Sequence, residues 1–407
     1  MDRKQSALGS YPSNWELVVF DTVAELKHGY QFRTFDFTNN GIKVFKITQI
    51  KSDGTIDISN CDYIESSRLN DFNKFIIQPG DILMALSGAT IGKISRFKSN
   101  EVVLQNYRVG NFLSKDNNIL HKDYFYYYLT TEYTYQQILA NQTQSAQENV
   151  GKEDIHKMFV FLPPLPEQES IAEILSSLDD KIDLIHRNNK TLEELSETLF
   201  KHWLSKLQDR ESATIGDYVK VQNGYAFKSN DFKDSGNNGV LKITNISFEH
   251  VDIQNTQFVD DKVVYGLSEK FLAKPKSFLI AMTGAEIGKI GIIGKTNKKL
   301  YINQRVGMLI DIEENSSLLG YLFLKSAEGQ DHIITTCTGS AQENISSVGI
   351  ESMIVPKITK EEVLEICRNI NPLFEKIIYN LEQIQQLELL RDTLLPKLMS
   401  GVVRVEN

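Results

Sequence analysis

Long apolar runs are missing from this sequence. The most apolar stretch, Phe278 to Gly294, carries Glu286 and Lys289, and no uncharged segment approaches the roughly 20 residues that a membrane-spanning helix needs. The opening residues, Met1 to Ser10, are polar and lack the apolar core of a secretory signal, so a cytoplasmic protein is expected. Cysteine is scarce. Cys61, Cys337 and Cys367 are the three in 407 residues, too widely spaced for a disulfide framework or a zinc site, and are expected as free thiols. A basic surplus is also lacking, since the formal net charge is −9. That sum argues against a polyanion partner, but its distribution matters more. Glu167 to Phe200 holds nine acidic residues against three basic, and Lys360 to Ser400 holds seven against five, so the remainder of the chain is close to neutral and leaves room for basic faces.

What the sequence does have is a long internal repeat. Ser87 to Ile94 reads Ser-Gly-Ala-Thr-Ile-Gly-Lys-Ile, and Thr283 to Ile290 reads Thr-Gly-Ala-Glu-Ile-Gly-Lys-Ile. Gly29-Tyr30 returns as Gly224-Tyr225, Lys46-Ile47-Thr48 as Lys242-Ile243-Thr244, and Arg108-Val109-Gly110 as Arg305-Val306-Gly307. Ser145-Ala146-Gln147-Glu148-Asn149 recurs letter for letter as Ser340-Ala341-Gln342-Glu343-Asn344. The order of the blocks is preserved throughout. A period this long is a whole domain rather than one turn of a solenoid, so the chain is a tandem duplication.

Each repeat divides into a strand-rich front and a helical tail. Short β-branched runs such as Ile42–Ile47 and Ile82–Met84 alternate with turn signals such as Ser52-Asp53-Gly54 and Gln78-Pro79-Gly80-Asp81, which predicts a mainly β domain with a few helices, among them Tyr124–Leu139 and Leu318–Ser326. Pro163-Pro164-Leu165-Pro166 marks a boundary, and Glu167 and Glu169 then suit the positive end of a helix dipole. From Pro166 to Leu207 apolar residues recur at three- and four-residue steps, interrupted at Asn188-Asn189, predicting a helix of roughly 60 Å. A second helix follows Pro356, with Pro372 and Pro396 expected to kink it. The expected architecture is therefore α+β, with mainly β domains at 1–163 and 209–357 and long helices at 164–208 and 358–407. The helices are expected to pair as an antiparallel coiled coil with a pseudo-two-fold repeat; the alternative is that each packs on its own domain.

Catalytic vocabulary is absent. The Gly88–Lys93 block has three residues between its glycines and Ile94 after the lysine, which fails the phosphate-loop pattern and favours a tight turn. Asn371-Pro372-Leu373-Phe374 echoes the motif with which adenine methyltransferases grip a flipped base, but Leu373 replaces a proline and the segment lies in an amphipathic helix. The seven histidines show no ligand spacing. Neither a catalytic site nor a metal or cofactor in this chain is expected. The repeated residues are instead those of recognition: Lys and Arg suit phosphates or guanine, Gln and Asn suit adenine. Lys93, Arg108, Gln147 and Asn149 in the first copy, and Lys289, Arg305, Gln342 and Asn344 in the second, are the candidate DNA-binding residues. Because residues that read sequence should differ between copies, divergent loops such as Thr34–Gly41 and Ser229–Gly239 are expected to carry the specificity.

These blocks, the junction Leu162–Ala172 and the terminal stretch Leu387–Leu398 together resemble the specificity subunits of type I restriction-modification systems. The resemblance covers nearly the whole chain. It implies two target-recognition domains, each reading one half of a split double-stranded DNA sequence, separated by a helical spacer. It also implies that the spacer docks two modification (methyltransferase) subunits, which bind S-adenosylmethionine, and through them ATP-dependent restriction subunits. On that spacer Glu167, Ile171, Leu178, Ile182, Ile185, Ile377, Leu381 and Ile384 are the candidate partner-binding residues. The second junction, Val355-Pro356-Lys357-Ile358, lacks the Pro-Glu-Gln form of the first, so the two docking sites need not be equivalent. The competing readings are a standalone adenine DNA methyltransferase and a coiled-coil scaffold unrelated to DNA.

Overall fold

A computed structural model describes residues 2–6, 8–51, 54–88, 90–140, 150–207, 209–248, 250–337 and 343–405. The chain forms two compact units, the first made of Met1–Asp180 with Glu388–Asn407 and the second of Lys181–Leu387. Each long helix contributes a part to both units.

The first unit is built on two four-stranded sheets. In one, Ala24–His28, Val109–Ser114, Ile82–Ala85 and Ile94–Arg96 lie side by side and antiparallel. Ile82–Ala85 is buried at every position, as an unbroken apolar run requires when both faces are covered. It is launched by the predicted turn, where the Gln78 N–H donates to Asp81 Oδ2 at 2.9 Å and Gly80 takes φ +88°. In the other sheet Val103–Gln105 runs parallel to Ile42–Phe45, and Asp62–Ile64 and Phe37–Thr38 extend it antiparallel.

The second unit repeats this plan. Val219–Asn223, Val306–Asp311, Phe278–Ala281 and Ile290–Ile292 form one sheet, and Asn238–Leu241 pairs in parallel with Lys299–Ile302 in the other. Where the first unit turns on Gly80, the second turns on Lys276 at φ +73°, a conformation that costs a side chain about 1 kcal/mol or more.

The helices adjoining the sheets differ in detail from the expected ones. Tyr124–Leu139 is two helices, Lys122–Leu129 and Glu132–Ala140, separated where the Thr131 hydroxyl donates to the Tyr128 carbonyl at 2.7 Å. In the second unit Ser316–Lys325 is followed by a helix that the apolar pattern did not signal, Ala327–Thr336; Ser326 is extended between them and its hydroxyl accepts from the Gly329 N–H at 3.1 Å.

The two long helices are Leu165–Leu204, which tightens into a 3-10 turn at Ser205–Leu207, and Lys360–Met399, which stays helical through Pro372 and Pro396. Thr359 starts the latter with a reciprocal cap: its N–H donates to Glu362 Oε2 at 2.9 Å and its hydroxyl accepts from the Glu362 N–H at 3.3 Å.

Within the second unit the helices run antiparallel. Ile182 and Ile185 pack with Ile384 and Leu387, and Asn189 accepts from Asn380 at 2.7 Å with both residues buried. Within the first unit Asp179 meets Arg391 at 2.9 Å while Ile171 and Leu175 share a core with Leu398 and Met399. Pairing is only part of their packing. Val363, Ile366, Ile370, Phe374, Ile377 and Leu381 belong to the second unit's main core, so each helix serves its own domain as well as its partner helix. Each such fully buried side chain contributes about 2 kcal/mol.

Candidate nucleic-acid interface

The repeated blocks meet in space, and the same way in both units. In the first unit the Leu86 N–H donates to the Arg108 carbonyl at 3.0 Å and the Leu86 carbonyl accepts from the Val150 N–H at 3.0 Å. In the second the Met282 N–H donates to Arg305 at 3.1 Å and the Met282 carbonyl accepts from Ile345 at 3.0 Å. The strand leading into each Gly-Ala-x-Ile-Gly-Lys turn is thus clamped between the Arg-Val-Gly block and the residue just after the Ser-Ala-Gln-Glu-Asn block.

The Gly-Tyr block joins the same junction. A Cβ on Gly29 would lie 2.1 Å from the Gln105 carbonyl oxygen, and one on Gly224 would lie 2.2 Å from that of Asn303. Only glycine permits this approach. The Tyr30 N–H then donates to Gln105 at 2.9 Å and the Tyr225 N–H to Ile302 at 2.9 Å.

The turns themselves are the tight ones expected, and no phosphate loop. Gly88 and Gly92 take φ +83° and +77°, and Gly284 and Gly288 take +72° and +81°. The Gly92 and Gly288 N–H groups close each hairpin onto Ala85 and Ala281 at 3.1 and 2.9 Å.

The repeated lysines of the Lys-Ile-Thr blocks are also structural. Lys46 lies 4.1 Å from the Phe37 ring and pairs with Asp62; Lys242 lies 3.7 Å from the Phe232 ring and bonds Gln257. Burial pushes the Lys242 ammonium pKa down.

The predicted contact residues fall into distinct places. Arg305 and Asn344 come together, lining with Asn223, Gln304 and Ser346 one cleft of about 440 Å³ in the second unit. Arg108 occupies the equivalent exposed tip of the first unit, beside Tyr107. Lys93 is exposed but faces a different groove, lined also by Tyr126, Glu132, Asp179 and Asp392. Lys289 forms an ion pair with Glu286, where the first copy has Thr90. Gln147, Asn149 and Gln342 lie outside the described residues. Of the divergent loops, Thr34–Gly41 presents Phe35 at 86% exposure on a short turn, with Asp36 accepting from the Arg33 N–H at 2.8 Å and from Arg68 at 2.9 Å. Those contacts, the Arg33 N–H first, hold the Asp36 carboxyl below its ordinary pKa.

Sequence reasoning passed over the neighbours of the shared blocks. Asn-x-Arg is common to both copies, with Tyr107 between Asn106 and Arg108, and Gln304 between Asn303 and Arg305. Before the Gly-Tyr pair stand Lys27-His28 in one copy and Gln222-Asn223 in the other. Tyr107 and His28 stack with ring centroids 5.1 Å apart. The signal available in the sequence was a change of residue type directly beside an unchanged block.

The candidate partner-binding residues are mostly enclosed within their own unit. Ile171, Ile182, Ile185, Ile377, Leu381 and Ile384 are all buried, and Leu178 is half-buried. Glu167 is buried too, accepting from Trp15 Nε1 at 3.0 Å and from Arg404 at 2.5 and 2.8 Å. The apolar residues that the helices leave exposed are others: Leu184, Leu195, Leu199 and Tyr379 in the second unit, Leu389 and Leu390 in the first. Among the described residues no cluster of three or more His, Cys, Asp or Glu side chains is placed to hold a metal ion, and no helix is long and apolar enough to cross a membrane.

Comparison with known proteins agrees with this duplicated plan. The model of the type I restriction modification DNA specificity domain matches twice, at residues 12–194 and 208–389. The MjaVIII type I restriction enzyme specificity subunit of Methanocaldococcus jannaschii is 28% identical over 195 residues, 47% of this chain and 45% of that protein. The MjaIX specificity subunit of the same organism is 23% identical over 437 residues, covering 99% of this chain and 97% of that one. A crystal structure of a type I restriction-modification system S subunit from M. genitalium shares the fold, with a TM-score of 0.55 at 18% identity over 95% of this chain and 96% of that chain.

Proposed function

Because the chain belongs to the type I restriction modification DNA specificity domain family and carries that domain twice, we propose that it directs a type I restriction-modification complex to a split DNA sequence, one half-site per unit. The observation that carries this reading is the pair of matching junctions, which hold different exposed side chains on one shared backbone frame. A protein that reads two unlike half-sites needs that combination.

Arg108 and Arg305 are the phosphate-contacting residues in this reading, being exposed at equivalent tips. Lys289, paired with Glu286, and Lys93, in a separate groove lined also by Glu132, Asp179 and Asp392, lie outside the DNA contact in this reading. The contribution of the chain is placement. Methyl transfer belongs to two modification subunits that bind S-adenosylmethionine and dock on the long helices, with ATP-dependent restriction subunits joining through them. Leu184, Leu195 and Leu199 suit such docking, since steps of eleven and four residues put them on one helix face and all three are exposed.

The test is reconstitution with the modification partner, followed by sequencing of methylated adenines. Methylation at one split sequence is expected. The isolated chain is expected not to bind S-adenosylmethionine; binding would favour the standalone methyltransferase instead.

A further inference from the structure

The cleft of the second unit has a chemistry that the corresponding tip of the first lacks. Asn223 and Gln304 are exposed carboxamides lining it beside Arg305, whereas the first unit places His28 and Tyr107 at those positions. Both carboxamides stand on rigid backbone. Asn223 ends the strand Val219–Asn223, paired opposite Gly307. Gln304 lies between Asn303, which bridges to Tyr225, and Arg305, whose carbonyl accepts from Met282.

A carboxamide offers one acceptor and two donors in a plane. That set matches the N6 amino group and N7 of adenine on its major-groove edge, and it matches no other base as well. Resting on the function proposed above, we infer that the carboxamide pair Gln304 and Asn223 determines specificity, at least one of the two reading an adenine in the half-site of the second unit. Arg305 fixes the register on the adjoining phosphate, so the amides meet a base edge rather than the backbone. The first unit, with an imidazole stacked on a phenol at the positions of Asn223 and Gln304, reads its half-site without these two carboxamides.

The full chain with its modification partner provides the test. Methylation rates are measured on duplexes in which each base pair of the target is replaced in turn. Gln304→Glu and Asn223→Asp keep shape but remove the donors, leaving acceptors that suit the cytosine amino group. At least one of them is expected to lower methylation about 10- to 100-fold at a single A·T pair of the second half-site, to favour C·G there, and to leave the first half-site unchanged. Gln304→Met, which keeps length and loses the amide, is expected to lose discrimination at that pair. Both positions are exposed, so thermal unfolding should be unaffected. Unchanged base preference in both Gln304→Glu and Asn223→Asp would overturn the inference while leaving the split-sequence reading intact. Failure of the unaltered complex to methylate any split sequence would instead remove the underlying function.

Discussion

At the tip of the first unit His28 stacks on Tyr107 beside Arg108; at the tip of the second Asn223 and Gln304 line a cleft beside Arg305. The backbone beneath the two tips is alike: a Cβ on Gly29 would meet the Gln105 and Asn106 carbonyls at 2.1 and 2.5 Å, and one on Gly224 the corresponding Ile302 and Asn303 carbonyls at 2.4 and 2.2 Å. The difference teaches how a duplicated domain acquires a second specificity. Residues whose backbone closes the junction stay fixed, and those whose side chains leave it are free to change. The helical clamps differ as well. The first unit uses Tyr127, Asp179 and Arg391, while the second buries a Lys325–Glu193 ion pair.

Breaking the clamps should separate the units most strongly. Lys325→Met removes a largely buried ammonium that pairs with both Glu193 and Glu197, and is expected to cost about 3–5 kcal/mol. Arg391→Met should cost only about 1 kcal/mol, because Asp179 still accepts from the Tyr127 hydroxyl at 2.7 Å. Denaturant unfolding of the two variants checks the contrast, and equal losses would erase it.

The shared frame predicts the opposite pattern, equal effects in both units. Gly29→Ala and Gly224→Ala each force a Cβ against backbone and should destabilise by about 3 kcal/mol. Tolerance of one but not the other, seen in calorimetry, would show that the junctions are not equivalent.

Weaker effects sharpen the assignment of the basic residues. Arg108→Ala and Arg305→Ala should each lower DNA affinity of the complex for all sequences alike and reduce the salt slope by about 1, whereas Lys93→Ala and Lys289→Ala should leave that slope unchanged. Fluorescence anisotropy across a salt series measures this.

The last effect is one that acid pH removes. The Arg210 guanidinium and the Thr359 N–H hold the Glu362 carboxyl down at about 2, against an ordinary value of 4.5. A lowered carboxylate pKa stabilises the fold fully above about 4.5, and that contribution disappears as pH falls towards 2. Glu362→Gln should therefore flatten the pH dependence of melting between those limits and lower the melting temperature above them.

The duplication, the turns around Gly88 and Gly284 and the two long helices were legible because each rests on local pattern: repeated letters, glycine spacing, apolar periodicity. The break at Thr130-Thr131 was not, since it depends on a hydroxyl satisfying the Tyr128 carbonyl in place of the next helical turn. Periodicity marked Ile171, Ile377 and Leu381 as a seam without saying which surface would cover them; domain cores do. The pairing of Lys289 with Glu286 was visible as a single-letter difference from Thr90, yet its meaning required the turn that brings the two side chains together. Gln304 and Tyr107 stood beside shared blocks, and only their exposure distinguished them from filler.

The central claim is that each unit reads one half of the target independently. Its most direct test replaces residues 16–160 with the corresponding segment of a relative of different specificity and sequences the methylated adenines produced with the modification partner. One half-site should change to that of the donor while the other half-site stays as it was. Retention of both original half-sites, or a change in both, would contradict the account.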